Sequence, residues 1–430
     1  MPGLFKYLAR HADDVVTFRA ATRHQQFLFR HPDAVREILV TQSDKFNKGP
    51  AFAWLRNAIG NSLLVSEGGY HRSQYQLMAS FFSRTSVSSY RRSIVDITEE
   101  LMSHWNVDET IDASLEMHRL SLRILAKTLF NLELGSQCDE ILAAATEIGR
   151  QPKNLSRKLF PLSRFVNALP LPENVRLKRA VATLDRIVYG WIDDRRKEGL
   201  AGADLLTSLI QSAGSSANEA TDRQIRDEVV GFLIVGHETI SAALGWSFYC
   251  LSEYPEVEQH FHRELDRILA GKRVPDHVDV ESFEYARGFF AEVLRLFPPS
   301  YAVTRFAIED CQIGDTHIPK GSRVTLSSFI THRDSRFFPN PNVFDPERWV
   351  SNQTEPEHRN AYFPFGAGAR QCIGGNFAKQ EAILILATIG RKWRLSRVEN
   401  GPVELDAGLS LSQKDGLKMQ VILRSSNSEI

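Results

Sequence analysis

Apolar positions recur at spacings of three and four from about residue 89 to 296, the pattern of amphipathic and buried helices, whereas alternating stretches are short and scattered. The proline-rich stretch 161–172 and the small polar run 212–216 interrupt that region. Residues 26–29, Gln-Phe-Leu-Phe, read as a short strand with a helix after it over 32–40, and residues 316–329 read as a hairpin turning at Pro319 to Gly321. Together these patterns predict a mainly α chain with a small β region, organised as a single domain over 1–430. Its helical body falls at 70–300 and 370–392, and its β-rich portions mainly at 20–65, 300–350 and 395–425. Residues 155–172 read as a mobile lid or as a long loop packed on the surface.

The longest helix candidate begins at Thr221, where Gln224 completes a capping box, and continues to about Glu253 without a proline. At 1.5 Å per residue it is on the order of 50 Å long, enough to cross a whole domain. Residues 229–236 are apolar all round, as in a core helix. A glycine inside a helix costs about 1 kcal/mol relative to alanine, so Gly231 and Gly236 imply a close approach, by a packed helix or by a ligand. Glu238 and Thr239 set an acid and an alcohol in the same buried stretch, which is costly unless both are partnered or used. A second polar pair, Glu292 and Arg295, lies three apart on a helix over 285–297 and shares one face. Taken alone it reads as a surface ion pair worth under ~1 kcal/mol.

Composition is ordinary for a globular protein, 43% hydrophobic and 24% charged, and the formal net charge of zero carries no footprint of nucleic-acid binding. The four cysteines, Cys138, Cys250, Cys311 and Cys372, contain no Cys-x-x-Cys pair, so neither a zinc site nor a disulfide framework is signalled and reduced thiols are expected. The first residues lack a signal-peptide core, and no run approaches the ~18 apolar residues of a membrane span. A cytoplasmic protein without a membrane span is the expectation.

The stretch from Phe365 to Gly375, Phe-Gly-Ala-Gly-Ala-Arg-Gln-Cys-Ile-Gly-Gly, carries the strongest chemical signal. Gly366, Gly368 and Gly374 permit backbone angles and close approaches that would let a flat cofactor lie against the main chain. Arg370 can pair with a cofactor carboxylate as a charged fork. The apolar run from Asn376 reads as a buried helix whose N-terminal amides would stabilise a thiolate on Cys372. A lone cysteine between glycines is otherwise a structural turn residue, and a dinucleotide loop lacks its third glycine in register here.

The full string resembles the haem-binding signature of the haem-thiolate monooxygenases, the cytochrome P450 family, Phe-x-x-Gly-x-Arg-x-Cys-x-Gly. Phe365, Gly368, Arg370, Cys372 and Gly374 fill every fixed position. The resemblance implies haem b with Cys372 as its iron ligand, and Phe365, Gly366, Arg370 and Gly374 around it. Gly236, Glu238 and Thr239 match the family's central-helix motif, in which the acid and alcohol relay protons to dioxygen, with Val235 where a smaller residue is usual. Glu292 and Arg295 match its Glu-x-x-Arg pair, and Arg348 in Phe-Asp-Pro-Glu-Arg-Trp joins them as a buried structural network. Arg305 is implied as a propionate ligand, together with His71, while Tyr75 stands where the family has an arginine and offers only a neutral hydrogen bond.

A member of that family inserts one oxygen atom of dioxygen into a substrate bond, with electrons from separate proteins, here a ferredoxin or flavodoxin and its reductase docking near Arg370, Lys379 and the Arg72 helix. Phe52, Trp54, Leu55, Phe232, Leu233, Tyr301, Val303 and Leu409, with Ala302, are implied as pocket walls. Their apolar character suits a terpenoid, a fatty acyl chain or a polyketide. Two other readings are a peroxide-using or rearranging haem-thiolate enzyme, against which Glu238 and Thr239 count, and a haem-binding sensor without catalysis.

Overall fold

The computed structural model describes residues 13–19, 25–150, 171–214, 219–269, 274–275, 280–350, 360–399 and 401–424. In chain order the elements are β1 (Val15–Arg19), β2 (Gln25–Phe29), α1 (Pro32–Arg36), β3 (Phe46–Asn47), α2 (Ala53–Ile59), α3 (Gly68–Ala79), α4 (Arg84–Ser103), β4 (Thr110–Asp112), α5 (Ala113–Phe130) and α6 (Gln137–Arg150). Then follow α7 (Pro172–Lys197), α8 (Leu205–Ser212), α9 (Glu219–Glu253), α10 (Pro255–Leu269), α11 (Glu284–Leu296), β5 (Val303–Ala307), β6 (Cys311–Ile313), β7 (Thr316–Ile318) and β8 (Arg323–Leu326). The chain closes with α12 (Ser328–Thr331), α13 (Glu347–Val350), α14 (Gly375–Gly390), β9 (Trp393–Arg397), β10 (Leu405–Ala407), β11 (Leu411–Gln413) and β12 (Lys418–Leu423). Most of the lid candidate at 155–172 lies outside the described residues; its last residue, Pro172, opens α7 at a position where a missing N–H costs nothing.

The chain divides into two compact units, one of residues 1–51, 94–116 and 242–430, the other of residues 52–93 and 117–241. The first holds all the sheets. Its largest has strand order β1-β2-β8-β5-β3, with β2 and β8 parallel and the other pairs antiparallel. Phe27, Phe29, Val324 and Leu326 pack with Ile38 and Leu39 beneath it, each such side chain contributing about 1.5–3 kcal/mol by leaving water. The hairpin expected at 316–329 is not formed. β7 pairs backwards with β6 through a turn at Gly314, whose φ of +52° suits a glycine, while β8 pairs with β2 and β5. The turn at Pro319 to Gly321 exists, closed by Ser322 N–H donating to Pro319, but it passes the chain from one sheet to another. A period-two pattern names strands and leaves their partners open, because side chains alternate the same way in any register of pairing.

The second unit is helical. Arg195 of α7 is buried in it, donating to Asp204 at 2.5 Å, to the Thr207 hydroxyl at 2.7 Å and to the Phe130 carbonyl at 2.9 Å, while Asp204 caps α8 by accepting from Thr207 N–H at 3.0 Å. Helix α9, 35 residues long, supplies its first part to this unit and its last part to the other. Over residues 221–253 it is long and apolar enough to cross a membrane, yet 72% of its most apolar window is buried in the protein, as in a core helix.

Candidate active site

Cys372 sits at the end of a turn tied by its own N–H donating to the Phe365 carbonyl at 2.9 Å, just before α14 begins. Gly366 and Gly368 shape the turn with φ of +69° and +67°. At Gly368 a β-carbon would lie 2.0 Å from the Leu39 carbonyl oxygen, so glycine is required there for close packing; at Gly366 a β-carbon would meet nothing within 4 Å, leaving that side open. The Cys372 side chain is exposed, unlike the other three cysteines, which are buried. Burial pushes the Cys138 thiol up to about 11 and the Cys250 thiol well above the usual range. Desolvation by the surrounding protein also raises the Cys372 thiol, and the Gly374 N–H opposes this. The helix N-terminus alone therefore does not secure the expected thiolate: desolvation outweighs the amide, and a cation bound at the sulfur would favour deprotonation.

On the same unit, Glu292 is wholly buried and accepts five hydrogen bonds: from Arg295 Nε at 2.8 Å and NH2 at 2.7 Å, Arg348 Nε at 3.1 Å, Trp349 Nε1 at 2.8 Å and Asp345 N–H at 2.9 Å. Arg295 directs its remaining donors at the carbonyls of His332 at 2.8 Å, Pro341 at 2.6 Å and Val343 at 2.9 Å. His332, which the sequence reading missed, links this cluster to the cysteine loop. Its Nε2 accepts from Phe363 N–H at 3.1 Å, and the Phe363 carbonyl accepts from Gly366 N–H at 3.0 Å. Burial and the Arg295 charge pull His332 down to about 3, so it stays neutral and its Nδ1 proton goes to the Arg295 carbonyl. A single histidine between Thr331 and Arg333 carries no local signal of such a role.

Arg305 lies buried on β5, donating to the Thr304 carbonyl at 3.0 Å, and Arg370 is half-buried in the turn two residues before Cys372. In the helical unit His71 is buried on α3 with the half-buried Tyr75 one turn on, ring centres 6.1 Å apart.

Along the middle of α9 the partly open positions Phe232, Val235, Gly236 and Thr239 fall at i, i+3, i+4 and i+7 and form one stripe, with Glu238 partly open beside it. Thr239 hydroxyl leans back on the Val235 carbonyl at 3.4 Å. Leu233, expected as a pocket wall, lies about 100° around the helix from Phe232 and is fully buried. Leu55 is fully buried too. Neither has accessible surface, so both take their place in the packed core and not at the lining expected of them. Phe52, Phe232, Tyr301, Val303 and Leu409 keep partly open side chains, while the Trp54 side chain lies outside the described residues. Tyr301 hydroxyl donates to the Gly408 carbonyl at 3.3 Å, holding the turn that carries Leu409. The two helix glycines are explained by packing: a β-carbon on Gly231 would lie 2.8 Å from the Ser62 β-carbon, and one on Gly236 would lie 2.3 Å from Leu125.

Glu238 turns off the stripe toward α5, where His118 Nδ1 is 3.9 Å from its Oε2. The His237 ring lies 5.6 Å from that of His118, and Ser241 hydroxyl is 2.8 Å from His118 Nδ1. Desolvation first, then the neighbouring His118, lowers buried His237 to about 4.

The family model for cytochrome P450 matches residues 1–419. The chain belongs to the cytochrome P450 family. It is 35% identical over 380 residues to cyclooctat-9-en-7-ol 5-monooxygenase of Streptomyces melanosporofaciens, covering 86% of this chain and 80% of that one. It is 31% identical over 367 residues to pentalenene oxygenase of Streptomyces avermitilis, covering 85% and 81%. Among solved structures, a crystal structure of the cytochrome P450DA heme domain superposes with a TM-score of 0.84 at 25% identity, covering all of this chain and 94% of that one. As a P450 the protein is a haem-dependent monooxygenase. Its residues fit the group: an exposed cysteine takes an amide from Gly374, in a turn whose Gly366 leaves room beside the main chain, with an arginine two residues away.

Proposed function

We propose that this P450 hydroxylates or epoxidises a terpenoid, using electrons delivered in the cytoplasm by a ferredoxin or flavodoxin and its reductase. The observation that carries the substrate class is similarity over more than four fifths of the chain to oxygenases named for cyclooctat-9-en-7-ol and pentalenene. An apolar open stripe on α9 supports it, because a hydrocarbon skeleton offers few groups for directed hydrogen bonds and is held by shape. Bound through Cys372, the haem supplies oxygen activation, with thiolate donation favouring O–O cleavage. Arg305, Arg370 and His71 would hold its propionates, Tyr75 would add a neutral hydrogen bond, and Phe365, Gly366 and Gly374 would bed its proximal face.

The protein's own chemical task is proton delivery. Glu238 passes protons through its carboxyl group, and Thr239 orders the path with its hydroxyl on the open stripe. Phe52, Phe232, Tyr301, Val303 and Leu409 orient the substrate and keep bulk water away. The half-buried Arg370 and the exposed Lys379 near the cysteine loop offer cations to an acidic redox protein. The Glu238 and Thr239 pair also weighs against a peroxide-using enzyme, which needs no such delivery.

Titrating the ferric holoprotein with terpenes, terpene alcohols, fatty acids and macrolides, and reading displacement of the haem water by its spectral shift, tests the substrate class. Terpenoids should shift the spectrum at the lowest concentrations. A clear preference for fatty acids would overturn it.

A further inference from the structure

The acid on α9 has a companion outside every motif. His118, on α5, is neither in the cysteine loop nor in the central-helix motif, yet its Nδ1 stands 3.9 Å from Glu238 Oε2, with side chains 22% and 24% exposed. Ser241 fixes the ring. Its hydroxyl oxygen lies 3.0 Å from the Glu238 backbone carbonyl and 2.8 Å from His118 Nδ1, so a hydroxyl donating to the carbonyl accepts from Nδ1–H. In that arrangement Nδ1–H faces Ser241 and the Glu238 carboxylate together. A ring protonated at Nδ1 becomes a cation as soon as Nε2 takes a second proton, and a carboxylate at this distance favours that cation.

His237 cannot serve in its place. It is fully buried, its Nδ1 is committed to the Leu233 carbonyl one turn back, and it is held neutral near 4 by desolvation and by its neighbour His118. Of two rings 5.6 Å apart only one can be charged, and the partly exposed one, facing a carboxylate, is the better host. Among the described residues, the titratable groups that α9 brings to His118 include Glu238 and His237, and on α5 the adjacent Arg119 donates to Asp139 of α6 at 2.9 Å.

We propose that His118 is the proton-bearing positioning residue of Glu238: as a cation it anchors the carboxylate, and it restores the carboxyl proton after each delivery. This rests on the reading of Glu238 and Thr239 as the proton-delivering pair. In the restoring step the Nδ1–H bond breaks and an O–H bond forms on Glu238 Oε2, leaving a neutral imidazole, and solvent returns a proton to the ring. The 3.9 Å gap makes the transfer depend on a bridging water or a swing of the carboxylate, so His118 acts between turnovers.

The test uses ferrous carbon-monoxide holoprotein labelled with ¹³C at histidine Cε1, which is diamagnetic and gives one resonance per ring. The His118 signal should titrate above the ordinary histidine value of about 6.5 and fall by about one pH unit in Glu238→Gln. An unchanged midpoint would overturn the proposal. The second arm is His118→Asn, whose amide N–H replaces Nδ1–H on Ser241 without a titrating charge. With a ferredoxin, its reductase, and pentalenene or cyclooctat-9-en-7-ol as probe, the share of reducing equivalents lost to peroxide should rise several-fold at unchanged haem content. Wild-type coupling in His118→Asn, alongside uncoupling in Glu238→Gln, would sink the role of His118 alone. Wild-type coupling in Glu238→Gln would instead remove the proton-delivery reading itself, and the resonance shift would still report whether the two side chains share a charge.

Discussion

Glu292 and Glu238 are carboxylates on two long helices, and they differ in how completely they are closed. Glu292 is 0% exposed and its two oxygens receive five donors, two of them from an arginine whose every N–H is placed. Glu238 is 24% exposed, faces a histidine at ion-pair distance, and lies beside an open stripe. A carboxylate satisfied on all sides cannot give or take a proton without breaking the structure around it. One left partly open, with a titratable neighbour, can. Glu228 stands between them: it is buried, accepts from Leu63 N–H at 2.7 Å, and its Oε1 has no hydrogen-bond partner among the described residues.

Arg295→Ala gives the largest separation. It strands Glu292 without its main cation, and such a loss costs about 3–5 kcal/mol, so holoprotein should fail to accumulate or melt far earlier in urea. Glu238→Gln should shift the same melt by under ~1 kcal/mol, as a partly exposed pair does. Similar losses in the two variants would erase the distinction between closed and open carboxylates.

The cysteines divide in the same way, three buried and one exposed. Cys372→Ser should abolish the thiolate-type spectrum of the reduced carbon-monoxide complex, whereas alanine at Cys138, Cys250 or Cys311 should preserve it. Survival of that spectrum in Cys372→Ser would move the ligand elsewhere.

For turnover the order of the two glutamates reverses. Glu238→Gln should slow product formation by about 10²-fold, and Thr239→Ala should divert reducing equivalents into peroxide while haem content holds. Product yield per NADH consumed decides between this and a purely structural acid.

Glu228 sharpens the comparison through pH. Burial raises it from 4.5 to about 7, so its contribution to stability is fully present below about pH 4.5 and is lost as pH rises through about 7. That loss is on the order of 2–3 kcal/mol between about pH 5 and pH 8, and Glu228→Gln should flatten the urea-midpoint curve over this window. An unaltered curve would show that the carboxyl finds a partner when it ionises. The smallest effect belongs to Tyr75→Phe, which removes one neutral hydroxyl and should change haem retention during dialysis against a scavenger far less than Arg305→Ala or Arg370→Ala.

The chemistry of this P450 was legible where it depends on residues close in sequence. The turn around Cys372, the acid and alcohol on α9 and the pairing of Glu292 with Arg295 are each carried by residues no more than seven positions apart, and the structure places each of them on the element expected. What failed was long-range. Leu233 is implied as a wall by the family resemblance, and a rotation of 100° per residue from Phe232 places it in the buried core. The strand after Pro319 read as half of a hairpin, and it found its partners almost 300 residues earlier in β2 and nearby in β5.

By itself, then, the sequence determined the haem-thiolate chemistry and the helical body, because glycine freedom, thiolate donation and helical periodicity are local properties of the chain. Tertiary structure decided which polar groups became fixed and which stayed workable. His332 gained its place between the Glu292 cluster and the cysteine loop, and His118 its place beside Glu238, only when segments 37 and more than 100 residues apart were packed together. Desolvation and partner distance set the behaviour of those groups, and both are properties of the packed interior that no local pattern encodes.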